Sequence, residues 1–208
     1  VFDDAEDLAR RARLDLHEMK LLAAADALKS LSGHRRQQVW DAAGLRAAPE
    51  LLREAPVRED VLELVEAAEG EEIVFDYAST GLTLRRHPMC LLRERLTRHG
   101  FLSAYELDAI ENGEQVSCCG IVTLRQQPET AKGTVFVSLE DETGVVQVIV
   151  WKGLRDLQRN ELLGAKLLAV HGHWQREGEV KNLVASRLED LTFLLGRLAT
   201  AAQSRDFR

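Results

Sequence analysis

Near residue 115 of this 208-residue chain the spacing of apolar side chains changes period, and that change dictates a helical part followed by a β part. Before it, apolar residues recur every three or four positions, as one face of a helix requires. After it they alternate with polar residues or run in short β-branched blocks, as strands require. The second half reads as strands over 116–122, 134–140 and 145–151, a helix over 152–163, and strands over 166–175 and 180–188. Asp141-Glu142-Thr143-Gly144 and Arg176-Glu177-Gly178-Glu179 are expected to be hairpin turns, with Gly144 taking the positive φ of the first. Five short strands with one helix between the third and fourth point to an OB-fold, a partly open Greek-key barrel. The expected class is α+β: an N-terminal all-helical region, then a C-terminal OB-fold barrel. The expected divisions are a helical region over 1–45, a helical connector over 46–114, the barrel over 115–190 and a tail over 191–208.

The helical half carries its own punctuation. Asp4 is a plausible N-cap before Leu8, and Leu14-Asp15 breaks the pattern. Leu16, Met19, Leu22 and Ala23 resume it toward Leu28 and Leu31, and Ser32-Gly33 stops it. A third helix spans 34–43 and ends at Gly44. The stretch 46–60, with Pro49 and Pro56, reads as a linker, and Val61, Leu62, Leu64 and Val65 as a short helix. Pro88 is placed to open a helix that runs to His99 and is closed by Gly100.

Charge narrows the function. The net charge is −7, but acidic residues exceed basic ones only up to Glu114; from Gln115 the signs nearly balance. Such a chain does not attract nucleic acid by net charge and would need a local groove. No apolar run approaches the ~20 residues of a membrane span, so no membrane partner is expected. The acidic start, Val1-Phe2-Asp3-Asp4, has no signal-peptide pattern and no Met, as expected of a piece of a longer protein. Three cysteines, two of them adjacent (Cys118-Cys119), give neither a disulfide framework nor zinc spacing. A reducing, cytoplasmic setting fits.

An OB-fold takes oligonucleotides on the face of strands two and three and on the flanking loops. Single strands need cations along a groove and aromatic faces for stacking. The candidates are Arg125, Gln126 and Lys132 in the loop after strand one, Phe136 on strand two, and Trp151 and Lys152 at the end of strand three. His173, Trp174, Arg176 and Lys181 surround the second hairpin turn. Phe136 or Trp151 could instead close the barrel core, whereas Trp174, beside a turn, is expected to be exposed. His171 and His173 share a strand face but lack a third ligand, so no metal is expected. Cys118 and Cys119 point to opposite faces as small core residues. Glu140-Asp141-Glu142 reads as turn chemistry. No phosphate-binding Gly-Lys loop, nucleophile elbow or HExxH pair is present, so no catalytic residue is assigned.

The run from Gly120 to Ala131 (GIVTLRQQPETA), with Leu139-Glu140-Asp141-Glu142-Thr143-Gly144 and Val148-Ile149-Val150-Trp151, resembles the OB domain of bacterial error-prone DNA polymerases of the C family. Asp76-Tyr77-Ala78-Ser79-Thr80-Gly81 with His87-Pro88 resembles the connector before that domain. Gln175-Arg176-Glu177-Gly178 resembles its late hairpin, and Ser204-Arg205-Asp206-Phe207 the extreme C-terminus. The first helices resemble its helix-hairpin-helix region, with Asp26 where the phosphate-gripping turn would carry Gly. Asp can adopt a left-handed conformation, but its charge repels phosphate.

The resemblance implies a DNA-directed DNA polymerase used in damage-induced translesion synthesis, whose catalytic aspartates and Mg2+ lie upstream. It implies no cofactor in this piece. The implied partners are single-stranded template DNA and two accessory mutasome proteins, one Y-family-like and clamp-binding, the other RecA-like. Two alternatives stand beside it: a protein-interaction module with little DNA affinity, and an unrelated OB-fold that binds single-stranded nucleic acid.

Overall fold

The computed structural model describes residues 1–45, 62–201 and 205–206, in two compact units, 1–82 and 83–208. The linker read over 46–60 therefore lies outside the described residues. The segment expected as one connector, 46–114, is divided between the two units.

The first unit contains α1 (Ala5–Ala12), α2 (Leu16–Ala24), α3 (Lys29–Ser32), α4 (Arg35–Gly44) and α5 (Glu69–Thr80). Its helix starts follow side-chain chemistry. Asp4 caps α1 by accepting from the Asp7 amide at 2.7 Å. Asp15 and Glu18 form a reciprocal capping box on α2. Met19, Ala23, Leu28 and Ala42 fill the core. The turn after α2 depends on Gln38, which is fully buried. Its oxygen accepts from the Leu28 amide at 3.0 Å, and its nitrogen donates to the Asp26 carboxylate and the Gly33 carbonyl, each at 2.7 Å. Asp26 has a φ of 58°, the left-handed conformation its position suggested.

The short helix expected at 61–65 does not appear among the described residues, where 62–68 have no regular structure and 61 lies outside. The Leu64 backbone instead pairs with side chains of α4 or its cap, the carbonyl with His34 at 2.7 Å and the amide with Gln37 at 3.1 Å. The helix falls later, as α5, where Glu69, Glu71 and Glu72 favour an N-terminus and Gly81, at φ 77°, closes the other end. Buried Arg35 joins α4 to α5 through Glu72, at 3.2 Å, and Asp76.

The second unit opens with α6 (Pro88–Arg98) and α7 (Ala104–Leu107), then builds the barrel from β1 (Gln115–Gln126), β2 (Val135–Glu140), β3 (Val145–Val150), α8 (Lys152–Leu157), α9 (Arg159–Gly164), β4 (Leu167–Glu177) and β5 (Val180–Asp190). A 3-10 turn, α10 (Leu198–Ala201) and a two-residue β6 (Arg205–Asp206) follow. β1 pairs antiparallel with β4 through its first half and with β2 through its second. β2 pairs with β3, β3 runs parallel to β5, and β5 pairs with β4, which closes a five-stranded OB barrel. β6 adds to the outer half of β1 beside Leu124 and Arg125. Val116, Cys118, Val122, Val137, Leu139, Val148, Val150, Val170 and Leu183 fill the interior.

Two glycines permit this closure. A Cβ on Gly120 would sit 2.9 Å from the Leu139 Cβ and 3.0 Å from the Glu140 carbonyl oxygen, where β1 passes from β4 to β2. One on Gly172 would meet the Val184 carbonyl oxygen at 2.0 Å, at the bulge between β4 and β5. Burial raises both cysteine thiols, Cys119 to about 12, so both remain thiols inside the wall.

Several expectations are corrected. Gly144 does not take a positive φ. The turn is instead fixed by buried Asp141, whose Oδ1 accepts from the Thr143 amide, the Thr143 hydroxyl and the Gly144 amide at 2.7–3.0 Å. Asp141 Oδ2 accepts from the Ala104 amide at 2.8 Å and from Arg93 at 3.0 Å, and Arg93 also grips Glu142. The helix expected over 152–163 breaks at Gln158, whose side-chain amide bonds both backbone groups of Leu188 at 2.8 Å.

Trp174 is 3% exposed and not on the surface. β4 extends past it to Glu177, and strand alternation turns it inward opposite Leu183. Arg125 is buried as well. β1 runs on to Gln126, and a bulge between Val122 and Leu124 aims Arg125 inward. There its guanidinium donates to the Leu162 carbonyl at 2.7 Å and to the Ala165 carbonyl, at the end of α9, where helix carbonyls lack partners.

Arg125→Ala should therefore act on stability. Losing two charge-assisted bonds of ~1.5–3 kcal/mol each, less the desolvation regained, leaves a loss of roughly 2–4 kcal/mol, measured as a lower urea midpoint.

The barrel should also weaken in mild acid. His87 Nδ1 caps α6 by accepting from the Met89 amide at 3.2 Å, which requires the neutral ring. Burial holds His87 below the ordinary imidazole range, against the upward pull of Glu140, Glu142 and Asp141. Burial lowers His171 too. Depressed folded values make the stabilisation complete above pH about 6.5, with loss as pH falls through the folded values. The urea midpoint should fall from pH 7.5 to 5.5, and His87→Asn, which keeps a capping acceptor, should flatten that fall.

Candidate nucleic-acid interface

Strand alternation decides what the barrel shows to solvent. On β2 and β3, Val135, Val137, Leu139, Val146, Val148 and Val150 face in. Phe136, Ser138, Glu140, Val145, Gln147 and Ile149 therefore face out. Pairing register then places Phe136 between Gln126 on β1 and Ile149 on β3, and Ser138 beside Gln147, with their side chains bonded at 3.1 Å. Trp151 continues the outward parity of β3 and is 56% exposed. Neither Phe136 nor Trp151 fills the core; Phe136 is half-buried on the outer face.

This face changes character along its length. Beyond Phe136 and Trp151 lie the β1–β2 loop and the start of α8. Lys132 and Lys152 are both exposed there. The loop backbone is fixed by Arg155, whose Nη1 donates to the Gly133 carbonyl at 3.0 Å. A Cβ at Gly133 would stand 3.5 Å from the Lys152 Cδ, so the two lysine-bearing segments adjoin. At the opposite end stand Glu140, Asp141 and Glu142 with Arg93.

The structure thus brings together five of the residues singled out from sequence: Gln126, Lys132, Phe136, Trp151 and Lys152. His173 is exposed on the outside of β4, opposite Val184, which in turn neighbours Ile149. Arg176 and Lys181 lie on the β4–β5 hairpin but engage the segment before β1. Lys181 pairs with Asp108 at 2.7 Å, and the Arg176 amide donates to Asn112 at 2.8 Å. Arg125 and Trp174 are inside. Ile149 and Arg155 join the site without having been singled out. Counting across the hairpin would have found Ile149 opposite Phe136, but nothing local marks Arg155 as a neighbour of Gly133.

His171 Nδ1 and the Ser117 hydroxyl are 2.7 Å apart, and its ring lies 5.6 Å from that of Phe101. Among the described residues no three His, Cys, Asp or Glu side chains group as metal ligands, and no helix is long and apolar enough to cross a membrane.

A family model described as an OB-fold nucleic acid binding domain (tRNA anti-codon) matches residues 106–191. The error-prone DNA polymerase of Ralstonia nicotianae is 53% identical over 209 residues, covering 99% of this chain and 19% of that protein. The error-prone DNA polymerase of Azoarcus sp. is 52% identical over 206 residues, with the same coverage of each. Among solved structures, asparaginyl-tRNA synthetase from Pyrococcus horikoshii aligns with a TM-score of 0.33 and 21% identity over 38% of this chain and 20% of that one, too slight a likeness to bear on function. Over its whole length, therefore, this chain is homologous to a segment of the error-prone DNA polymerases, a segment that spans 19% of such a relative and contains an OB-fold nucleic-acid-binding domain.

Proposed function

We propose that this chain is the C-terminal DNA-handling region of an error-prone DNA polymerase acting in damage-induced translesion synthesis. Its barrel holds unpaired template strand on the outer face of β2 and β3. The observation that carries this reading is the outward set of Gln126, Phe136, Ile149 and Trp151 leading into Lys132 and Lys152, on a chain about half identical to such polymerases throughout. Aromatic faces stack on bases of any sequence, and lysines hold phosphates without reading sequence. A template-handling module needs this tolerance, because damaged bases have no fixed hydrogen-bonding pattern. Nucleotidyl transfer, with its Mg2+, belongs on this reading to the rest of the polymerase.

The helical unit has a different proposed role. In its turn the Asp26 carboxylate stands where a phosphate-gripping turn would present glycine, and Trp40 is 54% exposed with Val39 also exposed on α4. Charge repulsion disfavours DNA there, and the apolar surface favours a protein. The accessory mutasome proteins, Y-family-like and RecA-like, are the proposed partners of this region.

Titration of the 208-residue chain with labelled oligo(dT) at 50 mM salt, followed by fluorescence anisotropy, tests the DNA role. Binding should appear and weaken as salt rises. Trp151→Ala should cost about 1–3 kcal/mol of affinity with the fold intact. Absence of binding at low salt would overturn the DNA-handling role and leave partner docking.

A further inference from the structure

The two loops that flank the outer face of an OB barrel differ here in whether their cations are available. At the β1–β2 end, neither Lys132 nor Lys152 pairs with a carboxylate among the described residues. The segments that carry them are joined by a hydrogen bond. The Gly133 carbonyl is held by Arg155, whose charge is in turn shared with Asp156 at 2.6 Å. Lys132 itself takes a left-handed conformation, φ 48°, as the residue that closes the 3-10 turn Glu129–Ala131.

At the β4–β5 end the cations are already engaged. The Lys181 ammonium is on Asp108, and the Arg176 guanidinium reaches the Asp108 carbonyl at 3.4 Å. The Arg176 amide is bonded to Asn112, and Gly113 and Glu114 bond the Trp174 backbone at 2.7 and 2.8 Å. The hairpin is thus strapped to residues 108–114 by side-chain and backbone bonds together. A phosphate approaching it would meet an ammonium whose charge Asp108 already offsets. A second limit is the far end of β2 and β3, where Glu140, Asp141 and Glu142 exceed the single charge of Arg93. A strand running along that face would meet net negative charge there.

We infer that a single strand is gripped at one end of the barrel only, by a two-lysine clamp of Lys132 and Lys152 beside Trp151, and that the β4–β5 hairpin takes no phosphate. This rests on the DNA-handling reading above and sharpens it. The footprint is short, near the lower limit of ~4 nucleotides for an OB-fold. With two phosphates neutralised, the slope of log affinity against log salt is about −1.4 on single strands, and it does not steepen with length. Continuous tracking across both loops would engage four or more cations and give about −2.8 or steeper. The barrel so built holds the strand lightly and lets it slide.

The test measures salt slopes on dT6 and dT15 for three forms of the 208-residue chain, each checked for an unchanged urea midpoint. The unaltered chain should give the same slope, about −1.4, on both lengths. Lys132→Gln with Lys152→Gln should remove most of that slope and weaken binding at 50 mM salt about tenfold or more. Arg176→Gln with Lys181→Gln should stay within about twofold of the unaltered chain, since no phosphate contact is lost. A slope that steepens from dT6 to dT15, or a marked loss in the Arg176/Lys181 double variant, would overturn the one-ended grip while leaving DNA handling in place. No binding by the unaltered chain to either oligonucleotide would overturn the DNA-handling reading itself.

Discussion

The barrel depends on β1 being shared. One twelve-residue strand pairs with β4 through Gln115–Ile121 and with β2 through Ile121–Gln126, and among the described residues no other strand joins those two partners directly. Such sharing requires the strand to bend sharply, and backbone must come close where the partners change. Gly120 and the bulge between Val122 and Leu124 supply both conditions. The same bulge swings Arg125 inward onto the last turn of α9, so the bend that closes the wall also anchors the helix beneath it.

The outer face inherits its properties from that closure. Once the register of β1, β2 and β3 is fixed, alternation sends every second side chain outward, and the order along the face follows from sequence order alone. Acidic Glu140 lies at the turn, Ser138 and Gln147 follow, then Phe136 and Ile149, then Trp151 and the lysines. The turn is rigid because one buried carboxylate, Asp141, satisfies three donors of its own turn as well as the Ala104 amide and Arg93. At the other end Arg155 ties the Gly133 carbonyl to the start of α8. On the proposed reading, tethering the face at its two ends lowers the entropy cost of binding, so that two electrostatic contacts and stacking suffice.

Much of this was legible in the sequence for physical reasons. Strand order and the β4–β5 hairpin turn follow from period-two patterning and turn residues, the starts of α1 and α6 from Asp4 and Pro88, and the break before α2 from Leu14-Asp15, all of which are local signals; that Asp15 caps α2 was not read. Gln126, Lys132, Phe136, Trp151 and Lys152 could be placed together because OB topology fixes which strand ends adjoin. Arg125 and Trp174 were misplaced because their orientation depends on a bulge and on how far a strand extends, both set by pairing with distant residues. The helix at Glu69–Thr80 was missed because its buried side includes Glu72, matched to Arg35 across 37 positions, and an ion pair leaves no apolar periodicity to read. Gly144 looked like the residue that shapes its turn, yet the side chain three positions earlier does that work.

On the proposed reading, an unpaired strand lies on the outer face of β2 and β3, at its Lys132–Trp151 end. Backbone amide NMR shifts recorded during titration with dT6 test it most directly. Shifts should gather at 132–136 and 149–152 and leave 176–181 and 140–144 unmoved. Shifts centred on the β4–β5 hairpin, or spread over the helical unit with the barrel silent, would contradict it.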